Sequence, residues 1–209
     1  MLARFIGAAP RLLAAAATLL LAGCLVSKEP LVTEENAAWP LEAGTILEEY
    51  EIANGRLVPS GENGKPTRGT LLIENGYYVW HTAEGEPEKT AFRVHALGRD
   101  GLYVVMFALD EHDEKDSGFP VFYGLLEEEP GQFVLRNFTG TDFERYAAHK
   151  GKAAPERWKG TEGKDWRRTG EGSDVEIASL AFLAEILPEM AALGFHAEEV
   201  WAYRPAKAP

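Results

Sequence analysis

Cysteine is almost missing from this chain: Cys24 stands alone among 209 residues. A single thiol excludes an internal disulfide and any multi-thiolate metal site, so stability must come from a packed core. The five histidines, His81, His95, His112, His149 and His196, never fall at HxH, HxxxH or HExxH spacing. No zinc site is signalled. The serines at 27, 60, 117, 173 and 179 include none in a GxSxG turn, so no nucleophile elbow is signalled either. The stretch GENGKPT lacks the spacing of a phosphate-binding loop, and Pro66 follows its lysine. No internal repeat is present beyond the short likeness of GTILEE and GTLLIE. The uncharged apolar run from Leu12 is shorter than the ~20 residues that a helix needs to cross a bilayer.

Against these absences, the first two dozen residues are distinctive. Arg4 and Arg11 precede LLAAAATLLLAG and no acidic residue interrupts residues 1–23, which is the charged, apolar, small-residue order of a secretion signal. Without Arg4 and Arg11, 19 basic residues face 33 acidic ones, a net charge of −14. So acidic a surface disfavours nucleic acid and keeps a membrane-tethered domain soluble. About 185 remaining residues, rich in Trp, Tyr, Phe, Leu and Val, suffice for one sizeable domain.

The end of the leader, Leu21-Ala22-Gly23-Cys24, resembles the lipobox of bacterial lipoproteins at all four positions. The resemblance implies cleavage between Gly23 and Cys24, a covalent lipid on Cys24, and attachment to a membrane by acyl chains rather than by a spanning helix. Leu25 follows the cysteine where the enterobacterial inner-membrane pattern has aspartate, which by resemblance favours the outer membrane, facing the periplasm. The LVSKEPLV stretch, the GLYVV and FYGLLEEE strands and the capped helix downstream are similar to small uncharacterised lipoproteins of Proteobacteria. The expected organisation is a cleaved signal over 1–23, a lipidated tether over 24–41 with Trp39 at its docking point, and one domain over 42–209.

Within that domain the patterns read as an antiparallel meander. In GTLLIENGYYVWHT, Asn75-Gly76 supplies a type I′ turn, which pairs Glu74 with Tyr77, Ile73 with Tyr78, Leu72 with Val79, Leu71 with Trp80 and Thr70 with His81. A second hairpin joins TAFRVHAL to LYVVMFAL across Gly98–Gly101, and a third joins GFPVFYGLLEE to QFVLRNF across Glu129-Pro130-Gly131. Thr141 to Glu144 has capping-box spacing for a short helix that Gly151 closes. Ser173 to Glu176 has it again, before IASLAFLAEILPEMAALGF, with either a kink at Pro188 or two helices with Pro188 in the first turn of the second, and an end at Gly194. EVWAYRP reads as a last edge strand. The expected fold class is α+β: about six to eight strands in a curved sheet or small barrel, with a long apolar C-terminal helix.

Three features carry candidate chemistry. Residues 150–168 form a basic island, in which Trp158, Lys159, Trp166, Arg167 and Arg168 suit an anionic or glycan partner in the envelope, or else plug the domain's own core. The loop holding Asp110, His112, Asp113 and Asp116 suggests calcium weakly, a solvated hairpin loop being the heavier reading. Tyr77, Tyr78 and Trp80 belong to a ligand-lined sheet or to a core. No cofactor is expected beyond the lipid on Cys24, and no residue is assigned a catalytic role. The functional expectation is a non-enzymatic binding or envelope-assembly module. An envelope hydrolase or hydrolase inhibitor using His81 and His95, and a carrier of an apolar ligand in a small barrel, are the alternatives.

Overall fold

A computed structural model describes residues 23–82, 89–109, 118–158, 162–169, 174–196 and 200–206. The strands are β1 Leu25–Ser27, β2 Thr45–Ala53, β3 Arg56–Pro59, β4 Thr67–Glu74, β5 Tyr77–Thr82 and β6 Lys89–Ala96. They continue with β7 Leu102–Ala108, β8 Val121–Glu129, β9 Gln132–Asn137, β10 Trp166–Arg168, β11 Val175–Ile177 and β12 Val200–Pro205. The helices are α1 Gly140–Lys150, the single turn α2 Pro155–Trp158, and α3 Leu180–Ala192.

The local hairpins stand where their turns put them. Asn75 and Gly76 both have positive φ, and β4 pairs β5 in the register that a two-residue turn dictates, from Glu74 with Tyr77 to Thr70 with His81. The β6–β7 and β8–β9 hairpins form likewise. From β8 the antiparallel order runs β7, β6, β5, β4, β2, β12 and β9, and β9 returns to β8. Eight strands therefore close into a barrel, which leaves no free edge in that ring. Because side chains alternate across a strand, one set from all eight points inward: Leu47, Leu71, Tyr78, Trp80, Val94, Val105, Phe107, Leu126, Phe133 and Leu135, with Trp201 and Tyr203 beside them. This set fills the interior.

The outward positions of β7 and β8 make the second core. Val104, Met106, Val121, Tyr123 and Leu125 pack beneath Phe143 and Tyr146 of α1, Trp158 of α2, and Phe182, Leu183, Ile186, Leu187 and Met190 of α3. With helices on one face and the barrel on the other, β7 is buried from Val104 to Phe107, which accounts for its unbroken apolar run.

Several expectations are corrected. The long apolar C-terminal helix is absent: Val175–Ile177 is strand β11, the helix starts only at Leu180 with Ser179 as its cap, and a strand follows it. Pro188 lies inside this one helix. The α1 cap is Thr139, with Asp142 as its box partner, two residues earlier than the Thr141 spacing indicated. Asp142 Oδ2 accepts from both the Thr139 amide and hydroxyl at 3.0 and 2.7 Å in a buried site, a reciprocal bond that outcompetes the exposed alternative. Val200–Pro205 is no edge strand; it closes the barrel between β2 and β9.

The segment expected to be a tether is built into the fold. β1 pairs β8 antiparallel and β11 parallel, and Leu25, Val26, Ser27 and Val32 are buried. Residues 36–41 then strap one end of the barrel. Ala38 bridges to Val94, Asn36 O faces His95 Nδ1 at 2.7 Å, and the Tyr78 hydroxyl donates to Leu41 O at 2.7 Å while accepting from Leu41 N–H at 3.0 Å. Trp39, 40 % exposed, rests edge-on against Tyr78.

Candidate functional site

Cys24 begins the three-stranded extension β10–β11–β1 that leaves the barrel at β8. Cys24 is 9 % exposed and packs with Val26 and Phe119, and burial, helped by Asp174, pushes its thiol up to about 12. The backbone is held on both sides. Cys24 N–H donates to Asp174 Oδ1 at 2.6 Å, and Cys24 O accepts from Val175 N–H at 2.9 Å. Register aligns Val26 with Glu176 and Glu176 with Arg167, so this face of the extension carries Cys24, Val26, Glu176 and Arg167 together. A groove of about 330 Å³ lies here, lined by Lys28, Phe119, Arg167, Arg168, Thr169 and Glu176.

The basic island thus separates into two parts. Trp158 and Trp166 point into the core among Phe143, Tyr146 and Phe182, so neither offers a stacking face to a partner. They pack inward because α2 and β10 seal the end of the helical layer, which needs large apolar side chains. Arg167 and Arg168 are solvent-facing and pair with Glu176 and Glu144. Lys159 lies outside the described residues, as do Asp110, His112, Asp113 and Asp116 of the candidate calcium loop. Among the described residues no cluster of three metal-ligating side chains occurs.

Among the described histidines, His81 and His95 bond to different elements. His81 Nε2 meets Glu74 Oε1 at 3.0 Å, the carboxylate contact that a hydrolase reading asks for, but on the outer wall and lining neither groove. His95 serves the strap, and His149 stacks near Phe195. A second groove, about 560 Å³, opens on the outer wall across β4, β2 and β12 and the β8–β9 turn. In it Arg68, Glu48 and Arg204 form one cross-strand row. Arg68 Nε donates to Glu48 Oε1 at 3.0 Å and the Tyr50 hydroxyl to Glu48 Oε2 at 3.0 Å; first Arg68 and then Tyr50 hold that carboxyl below the usual range. Sequence reasoning missed this row because Arg204 lies more than a hundred residues along the chain from Glu48 and Arg68, and β12 brings it beside them only when it closes the ring.

Tyr77, Tyr78 and Trp80 are structural. Tyr78 and Trp80 lie inside the barrel, and Tyr77 sits beneath the Arg93 guanidinium at 3.9 Å. The interior also holds a polar pair of a buried Glu49 and a half-buried Tyr203: the Tyr203 hydroxyl donates to Glu49 Oε1 at 3.1 Å, with burial and the carboxylate driving the phenol well above its ordinary range. Nearby strands contribute Trp80 Nε1, Thr82 Oγ1 and Asn137 Oδ1, buried atoms without a hydrogen-bond partner. A scan against protein-family models finds no match, and searches of curated proteins and of solved structures find none.

Proposed function

We propose that this protein is a lipid-anchored bacterial envelope lipoprotein, attached through Cys24, most consistent with the outer membrane facing the periplasm, and that it acts there as a non-enzymatic binding or assembly module. The carrying observation is the Leu21-Ala22-Gly23-Cys24 lipobox at the end of a basic, apolar leader, with the folded sheet beginning at Leu25. The partner-facing element is the groove beside Cys24, where Lys28, Arg167 and Arg168 concentrate positive charge in a protein of net charge −12. Its fitting partner is an anionic envelope component, a glycan or an acidic protein patch. No helix among the described residues is long and apolar enough to cross a membrane.

Metabolic labelling of the full chain in a bacterial host with an alkyne fatty acid tests the anchor. Label on the wild type and none on Cys24→Ser is expected; an unlabelled wild type removes the reading. Retention on immobilised lipopolysaccharide or peptidoglycan, weakened in Arg167→Glu/Arg168→Glu, tests the groove. Retention unchanged by charge reversal assigns binding elsewhere.

A second reading, a carrier, has one specific observation in its favour: a closed eight-stranded barrel whose interior holds unpartnered polar atoms at Trp80, Thr82 and Asn137. The aromatic filling of that interior opposes it. Saturable uptake of a fluorescent fatty acid, lost on Gly124→Phe, would make it the better reading.

A further inference from the structure

The Gly23–Cys24 peptide bond, which the lipobox marks for cleavage, is engaged at both ends. Gly23 is buried and its carbonyl accepts from Gly140 N–H at 3.2 Å in the first turn of α1. On the other side Cys24 N–H reaches Asp174 Oδ1 at 2.6 Å, and Cys24 bridges to Thr139. Asp174 is itself pinned, since its carbonyl accepts from the amide and the hydroxyl of Thr169 at 3.1 and 3.2 Å. Immediately beyond, Leu25–Ser27 is clasped between β8 and β11.

Processing needs the opposite arrangement. In the diacylglyceryl-transfer step the Cys24 thiolate attacks the glycerol carbon of a phospholipid. A carbon–sulfur bond forms, the carbon–oxygen bond to phosphate breaks, the headgroup phosphate leaves with the electron pair, and the thiol proton passes to solvent. Water then adds across Gly23–Cys24, giving a Gly23 carboxylate and a Cys24 amine. The first step requires an exposed thiol and the second an extended, accessible Gly23–Cys24 peptide, and the docked strand supplies neither.

We propose that Asp174 is a latch that holds β1 in the sheet, so that Cys24 is modified and cleaved only while β1 is undocked, and that afterwards Asp174 receives the amino group that cleavage creates. The inference rests on the lipoprotein reading. It makes docking of β1 the step that ends maturation and brings the domain close against its anchor, with no free tether between them.

Because Cys24 is the sole cysteine, thiol labelling reports on β1 without ambiguity. The unmodified full chain in non-ionic detergent is treated with a maleimide reagent, native and in denaturant. Native labelling is expected to be at least ~100-fold slower than denatured labelling, since it requires local opening of the strand. Asp174→Ala is expected to accelerate native labelling by about tenfold, the effect of losing one charge-assisted hydrogen bond, with the far-ultraviolet spectrum unchanged. Thr169→Val, which removes the hydroxyl bond to Asp174 O and keeps the amide one, is expected to accelerate labelling several-fold and serves if Asp174→Ala does not fold. Asp165→Ala is the control and leaves the rate unchanged. Equal native and denatured rates, or no acceleration in a folded Asp174 or Thr169 variant, overturn the latch. The mass of Cys24 peptides from bacterial membranes decides lipidation separately: an unmodified Cys24 defeats the lipoprotein reading, while the labelling rates judge the latch.

Discussion

Single side chains tie distant parts of this molecule together, and their replacement tests the packing. Tyr78 lies wholly inside the barrel, yet its hydroxyl both donates to and accepts from the Leu41 backbone. Tyr78→Phe removes both bonds and leaves a Leu41 N–H and carbonyl without partners, so about 1–3 kcal/mol of stability should be lost, measured by urea denaturation. Glu189 works differently. It accepts from Lys150 Nζ at 2.8 Å and from the Tyr146 hydroxyl at 2.7 Å, and these, Lys150 first, hold its carboxyl below the usual glutamate range. A depressed folded-state value means that the stabilisation is present above the unfolded value of about 4.3 and is lost as pH falls through the folded one. Glu189→Gln should lower the melting temperature most near neutrality, where the stabilisation is fully present, and should flatten its fall below about pH 4.5. The tyrosines of the first hairpin were legible as residues that pack, but the choice between core and ligand pocket depended on which strands came to face them. That choice is not encoded in the hairpin itself.

At the scale of elements, the hairpins were readable and the helices only partly so. A two-residue Asn-Gly turn sets a register through φ alone, and every pair it implied between β4 and β5 is present. Gly69 is the point in that hairpin where size is critical. A Cβ there would lie 2.5 Å from Trp80 ring carbons and 2.8 Å from His81 O. Gly69→Ala should therefore destabilise by about 1–3 kcal/mol through overpacking, seen as a lower thermal midpoint with the circular-dichroism shape retained. The caps were misplaced because capping-box spacing recurs by chance in polar stretches. At α1 the contest was decided by burial of Thr139 and Asp142. At α3 the apparent helix start at Ser173 gives way to a strand, because Val175 and Ile177 alternate around Glu176 and find β1 and β10 on either side.

At the scale of the whole molecule, closure is the decisive event. β12 lies between β2 and β9, so residues near position 50 meet residues near position 202. A full chain carrying Trp201→Pro and Tyr203→Pro, which cannot complete both ladders, should leave the edges of β2 and β9 open and elute as aggregate on size-exclusion chromatography. Such long-range pairing also predicts slow folding, in milliseconds to seconds rather than microseconds, which stopped-flow tryptophan fluorescence would read.

From the sequence alone came the leader-like order of residues 1–23, the lipobox expectation at Cys24, the antiparallel meander and the hairpin registers. Each of these rests on residues close together along the chain, whose φ preferences and alternation act before any tertiary contact exists. Tertiary structure alone decided that β12 closes a barrel, that β1 enters the sheet instead of trailing as a tether, that Trp158 and Trp166 fill a core, and that Asp174 meets Cys24 across 150 residues. These outcomes depend on which apolar faces remain uncovered once the local elements have formed. Burial of those faces is a property of the assembled sheet and helices, and no window of neighbouring residues contains it.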